Sequence, residues 1–131
     1  MFNRRRFLGA FALTAIAAFG PHAFAMSPEV FTQKAFDAAQ AAGKPILVEV
    51  HAPWCSTCKA QQPILDELTA RPAFKNMVTF KIDFDSQKDL LRKYNVRYQS
   101  TLIVFRGKTE AGRSTGDTNA ASIEALLAKA I

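Results

Sequence analysis

Nitrogen and sulfur metal ligands are scarce in this chain: 131 residues include two cysteines and two histidines. A tetrahedral zinc site needs four ligands, usually arranged as two pairs. With His22 near the N-terminus, the rest of the chain offers only Cys55, Cys58 and His51, too few to close such a site within one protomer. Attachment of a c-type haem requires histidine directly after the second cysteine, and Lys59 stands there. Long apolar runs are also missing. The longest mild one, Phe7 to Phe19, is interrupted by Gly9 and Thr14 and falls short of the roughly 20 residues that span a bilayer. Beyond Arg6 there is no basic run and no interleaving of basic and aromatic residues, which excludes a nucleic-acid partner. No repeat, low-complexity tract or linker divides the chain, so one domain is expected.

What is present begins with a leader. Residues 1–25 combine the charged start Arg4-Arg5-Arg6, the apolar run, the breaker pair Gly20-Pro21, and small residues at Ala23 and Ala25. That order is that of a signal peptide cleaved after Ala25, favoured over a permanent anchor. "RRRFL" (Arg4 to Leu8) resembles the twin-arginine export signal, with departures at Asn3 and Gly9. That route and the general secretory route both lead to a bacterial periplasm, the expected location. Removing three arginines leaves 14 Lys and Arg against 11 Asp and Glu, a net charge of +3 instead of +6.

Residues 26–131 read as an α/β domain. "FTQKAFDAAQAAGKP" has a cap at Thr32, a hydrophobic staple between Phe31 and Phe36, a left-handed exit at Gly43 and a stop at Pro45. "ILVEV" (Ile46 to Val50) is the apolar run of a strand covered on both faces. From Cys55 to about Ala70 the period becomes helical through Ile64, Leu65 and Leu68. Pro63 lies inside that helix and predicts a kink. "MVTFKIDF" is a second central strand, Gln87 to Tyr94 a short helix, and Ser100 to Thr115 a hairpin turning at Gly107-Lys108. Asn119 to Ala130 closes the domain as a helix burying Ile123, Leu126 and Leu127. The order α, β, α, β, α, β, β, α predicts a mixed sheet with helices on both faces.

Both cysteines fall in "HAPWCSTCKAQ" (His51 to Gln61). A purely structural bridge between residues so close in sequence would constrain little of the unfolded chain. The redox reading has a mechanism. Cys55 follows a strand and opens a helix, where backbone N–H groups and the helix dipole stabilise a thiolate. Cys58, one turn on and further inside, can attack the mixed disulfide and release the partner. Cys55 is expected to be the more exposed of the two. In an oxidising compartment the pair is a disulfide unless something reduces it.

"ILVEVHAPWCSTCKAQQPILDEL" resembles the strand, active-site turn and kinked helix of the thioredoxin family, and the likeness covers essentially all of residues 26–131. It implies a three-layer fold with a mixed four- to five-stranded sheet and disulfide oxidoreductase activity, with no cofactor. It implies Cys55 as nucleophile and Cys58 as resolving cysteine. Glu49 takes the place of a buried aspartate, and Lys81 that of the lysine paired with it. Trp54, Ser100, Thr101 and Gly116 match positions around the substrate groove.

Four departures stand out. Glu49 is one methylene longer than aspartate; a buried proton carrier is favoured over an edge glutamate paired with Lys81. His51 replaces an aromatic residue, and Ser56-Thr57 replaces Gly-Pro. Ser100 stands where the family keeps a cis-proline. A cis bond before a non-proline residue costs about 2.5–4 kcal/mol, so the Gln99–Ser100 peptide is expected to be trans and the cysteine face less shielded. Ser100→Pro is expected to weaken metal binding and, where the loop accepts a cis bond, to raise reductase activity. The resulting expectation is a monomeric periplasmic oxidoreductase that reduces or isomerises disulfides of exported proteins, recharged by a membrane thiol-reducing system. The alternatives are a metal-binding or metal-delivery module using Cys55, Cys58 and His51 for a soft ion, and a redox-inactive binding domain.

Overall fold

Thr32 opens the first helix in the computed structural model, which describes residues 28–131; the leader and its cleavage site lie outside the described residues. The Thr32 hydroxyl accepts the Ala35 N–H, and the Phe31 and Phe36 rings pack 5.0 Å apart across the cap. Helix α1 (Gln33–Ala41) ends at Gly43, whose φ of +68° is the left-handed conformation that glycine adopts without a Cβ clash. Pro45 then begins β2 (Pro45–His51).

Helix α2 (Ser56–Thr69), a 3-10 turn at Pro72–Phe74, β3 (Val78–Asp83), α3 (Lys88–Lys93), β4 (Thr101–Arg106), β5 (Thr109–Thr115) and α4 (Ala120–Ala128) follow. A two-residue strand at Glu29–Val30, here β1, precedes them all and makes the sheet five-stranded, in the order β1-β3-β2-β4-β5. The β1–β3 and β2–β3 pairs are parallel, and β2–β4 and β4–β5 antiparallel. The α/β layering and mixed sheet expected from sequence are thus present. β1 was not foreseen: its two residues are exposed and carry no alternation from which a strand could be read.

The period-2 alternation of β2 divides the core. Ile46, Val48 and Val50 face Phe31, Phe36, Phe80, Ile82, Leu91 and Phe105 under α1 and α3. Leu47 faces the other way, into Leu65, Leu68, Leu102, Val104, Ile123 and Leu127 under α2 and α4. Glu49, two residues beyond Leu47, therefore points to the α2 side. β2 lies between β3 and β4, so its C-terminal end delivers the cysteine turn from the middle of the sheet.

Candidate active site

The chain leaves β2 at His51 and enters α2 at Ser56, and Cys55 is the N-cap between them. Its backbone is extended (φ −81°, ψ 108°), and its Sγ accepts the Cys58 N–H at 3.0 Å. A sulfur is used here as Ser or Asp is used at other helix starts, and the bond is stronger when the acceptor is ionised. Cys58 Sγ instead lies 3.8 Å from the Val50 carbonyl oxygen, an acceptor suited to a thiol and repulsive to a thiolate. This asymmetry favours charge on Cys55 and a proton on Cys58. The two are joined as a disulfide, with Cα atoms 5.3 Å apart.

One expectation fails. Cys55 is not the more exposed cysteine: it is 2% exposed and Cys58 4%. Capping turns the Cys55 sulfur inward, where the pair packs against Ala52 and Phe84. Nor does Ser100 leave the cysteine face open, since both cysteines are buried beside it.

Glu49 is 5% exposed, in the centre of the sheet. The Lys81 ammonium, from the register partner on β3, lies 3.9 Å from its carboxylate. Burial dominates, so the carboxyl is raised from its ordinary 4.5 to about 7, with Lys81 opposing the rise and Asp66 adding to it. Between these values the folded protein holds a proton that the unfolded chain has lost, so stability falls as pH rises through the window. Glu49→Gln removes that loss. Urea unfolding of the oxidised protein should show the variant ahead of wild type by up to about 3 kcal/mol at pH 8 and level with it near pH 4. Equal stability at both pH values would mean that Glu49 carries no burial penalty.

Ser100 is buried at φ +59°, and its preceding peptide is trans, as expected. Its N–H donates to the Val50 carbonyl at 2.8 Å, the same oxygen that Cys58 Sγ approaches. Its own carbonyl accepts from Gly116 N–H at 3.0 Å and from the Gln61 amide at 3.2 Å. Gln61, 3% exposed, spends its other N–H on the Asp117 carbonyl at 2.8 Å. One buried side chain on the cysteine helix therefore pins both loops that flank the pair. Sequence reasoning missed Gln61; the available signal was a polar residue one turn after Cys58, on the helix's inward face. Gly116, at φ +74°, faces open space on its Cβ side. Thr101 is buried and bonds internally, to the Tyr98 carbonyl at 2.7 Å and the Thr115 hydroxyl at 3.0 Å. It shapes the loop from behind. Proline suits neither the φ nor the hydrogen bond at position 100, so the loop would have to rearrange before it could accept a proline there.

Trp54 is 57% exposed at the rim. Its indole N–H donates to the Asp85 carboxylate at 2.9 Å, and its ring meets Phe84 edge-on. Asp85 was not singled out from sequence, because the partners are 31 residues apart. Tyr98, also exposed, lies in the loop before β4. His51 lines a cleft of about 350 Å³ with Lys81, Asp83 and Gln87, a lining that includes neither cysteine. Burial and the Lys81 charge lower its pKa. Among the described residues no three His, Cys, Asp or Glu side chains are grouped to hold a metal ion.

Comparison with known proteins agrees with this geometry. The thioredoxin family profile matches residues 27–129. Among curated proteins, the chain is 35% identical over 104 residues to a probable protein disulfide-isomerase A6 of Medicago sativa, covering 77% of this chain and 27% of that protein. It is 29% identical over 99 residues to thioredoxin-1 of Saccharomyces cerevisiae, covering 76% of this chain and 94% of that one. The chain thus spans about a quarter of that isomerase and nearly all of the thioredoxin. Among solved structures, Trxlp from Edwardsiella tarda EIB202 superposes with a TM-score of 0.75 at 42% identity, over 77% of this chain and 98% of that one.

Proposed function

Because this chain belongs to the thioredoxin family, we propose that it is a protein thiol–disulfide oxidoreductase that works in the bacterial periplasm, reducing or isomerising the disulfides of exported proteins. The observation that carries the chemistry is the Cys58 N–H to Cys55 Sγ hydrogen bond at the start of α2. The reduced Cys55 thiolate attacks one sulfur of a substrate disulfide, forming a mixed disulfide and expelling one substrate thiolate. Glu49 takes the proton of Cys58, and the Cys58 thiolate attacks Cys55. The second substrate thiolate leaves, the Cys55–Cys58 disulfide forms, and two electrons have passed to the substrate.

Return to the dithiol needs two electrons from a donor thiol pair, which we assign to a membrane thiol-reducing system. The leader motif in residues 1–25 supports export. The exposed Trp54 ring, next to Cys55 in the chain, suits extended peptide, and the protein acts as a monomer. Insulin-disulfide reduction by residues 26–131, with the reduction potential measured against glutathione, tests the reading. A potential near about −270 mV fits a reductant, one near about −180 mV an isomerase, and one near about −120 mV an oxidant. An absence of any turnover would overturn the proposal.

A further inference from the structure

Two adjacent glutamines precede Pro63, and the second reaches away from the cysteines. Gln62 Oε1 accepts from the Lys81 ammonium at 3.1 Å, while Gln62 Nε2 donates to Asp66 Oδ1 at 2.8 Å, one turn further along α2. An amide whose N–H end is committed to a carboxylate must present its oxygen to the other neighbour, so Asp66 fixes which end of Gln62 meets Lys81. Lys81 Nζ is consequently nearer a neutral amide oxygen than the Glu49 carboxylate, which is 3.9 Å away. An ammonium in contact with a carboxylate sits at about 2.7–2.9 Å. The ammonium is held short of contact.

We propose that Gln62 is a positioning residue for Lys81: oriented by Asp66, it keeps the ammonium at the mouth of the Glu49 pocket, and so sets how readily Glu49 holds the proton it exchanges with Cys58. The last clause rests on the role given to Glu49 above. The charged groups that act on Glu49 are Lys81 from β3 and Asp66 from α2, with His51 two residues along β2 on the same sheet face and Leu102 of β4 in register beside it. Lys81 is the nearby positive charge that acts on the carboxyl, and it is the one Gln62 touches. Its side chain is 30% exposed, so it has room to swing between the two acceptors. Loss of Gln62 lets Lys81 close on Glu49, and the carboxylate gains a contact partner.

Carbon-13 NMR of the Glu49 carboxyl in the oxidised full chain reads this directly. Gln62→Leu, a good helix former at a half-buried position, should lower the Glu49 titration midpoint by about one pH unit, the Coulombic effect of moving from 3.9 Å to contact at an effective dielectric of about 20. Gln62→Glu, which keeps an acceptor for Lys81, should not lower it. In a Lys81→Met background the Gln62→Leu shift should vanish, a coupling that a merely structural role does not produce. An unmoved midpoint in Gln62→Leu, or a shift that persists without Lys81, overturns the assignment. The pH profile of insulin reduction separates this from the role of Glu49. If the carboxyl titration moves and the acid limb of the rate does not, Glu49 takes no part in exchange, and the placement of Lys81 by Gln62 stands.

Discussion

Cys55→Ser abolishes insulin reduction, whereas Cys58→Ser leaves the first step intact and accumulates mixed disulfides: this is the expected result with the largest effect. Both cysteines are nearly inaccessible, so exposure does not rank them. What ranks them is the hydrogen-bond environment. The Cys55 sulfur receives a helix N–H, and the Cys58 sulfur faces a carbonyl. A serine hydroxyl at position 55 does not ionise near neutral pH and forms no bond to a substrate sulfur. A serine at position 58 leaves Cys55 nucleophilic but without a means of release. Intact mass spectrometry after incubation with a disulfide peptide would show the adduct on Cys58→Ser and none on Cys55→Ser. The opposite pattern would reverse the two roles. Because the cysteines are buried, alkylation by a bulky reagent should be slow in the reduced protein, while a peptide that displaces the rim reacts normally.

The second large effect is expected of Ser100→Pro. The substitution deletes the N–H that bonds to the Val50 carbonyl at 2.8 Å. It also demands a φ near −65° where the chain has +59°. A buried acceptor left without its donor costs about 1–3 kcal/mol. Displacing the loop also strains its bonds to Gly116 and Gln61, so a total loss of about 2–4 kcal/mol is expected in urea unfolding. Ser100→Gly keeps the N–H and relaxes the left-handed backbone, and should stay within about 1 kcal/mol of wild type. A proline variant as stable as wild type would show that the loop has a second, equally good arrangement. The Val50 oxygen connects this to redox chemistry, since it lies between the Ser100 N–H and the Cys58 sulfur.

Much of the fold was legible because local and global signals agree. Thr32, Phe31 and Phe36 specify a helix start on their own, and the structure uses all three. "ILVEV" announced a strand covered on both faces, and β2 lies between two neighbours in the sheet. The lone glutamate in that strand pointed to a buried ionisable group, and Glu49 is one. What stayed hidden depends on contacts between residues distant in sequence. The bonds of Gln61 to Ser100 and Asp117 span 39 and 56 residues, and the Lys81–Gln62 bond spans 19. No periodicity encodes them. The exposure of Cys55 was misjudged because a helix start is ordinarily open to solvent, and here the capping atom is the sulfur itself, turned into the fold.

The two glutamines are consecutive on α2, so a rotation of about 100° separates them. That single step sends Gln61 to the loops beside the disulfide and Gln62 to Lys81 and the sheet. The unit that could be transplanted into another scaffold is therefore larger than the four residues Cys55 to Cys58. A graft of those four alone would carry the sulfur atoms but leave behind the side chains that brace their surroundings. Glu49 through Asp66, moved together with Lys81 and Ser100, is the smallest cassette that keeps the cysteines, the loop and the buried acid in one mechanical connection.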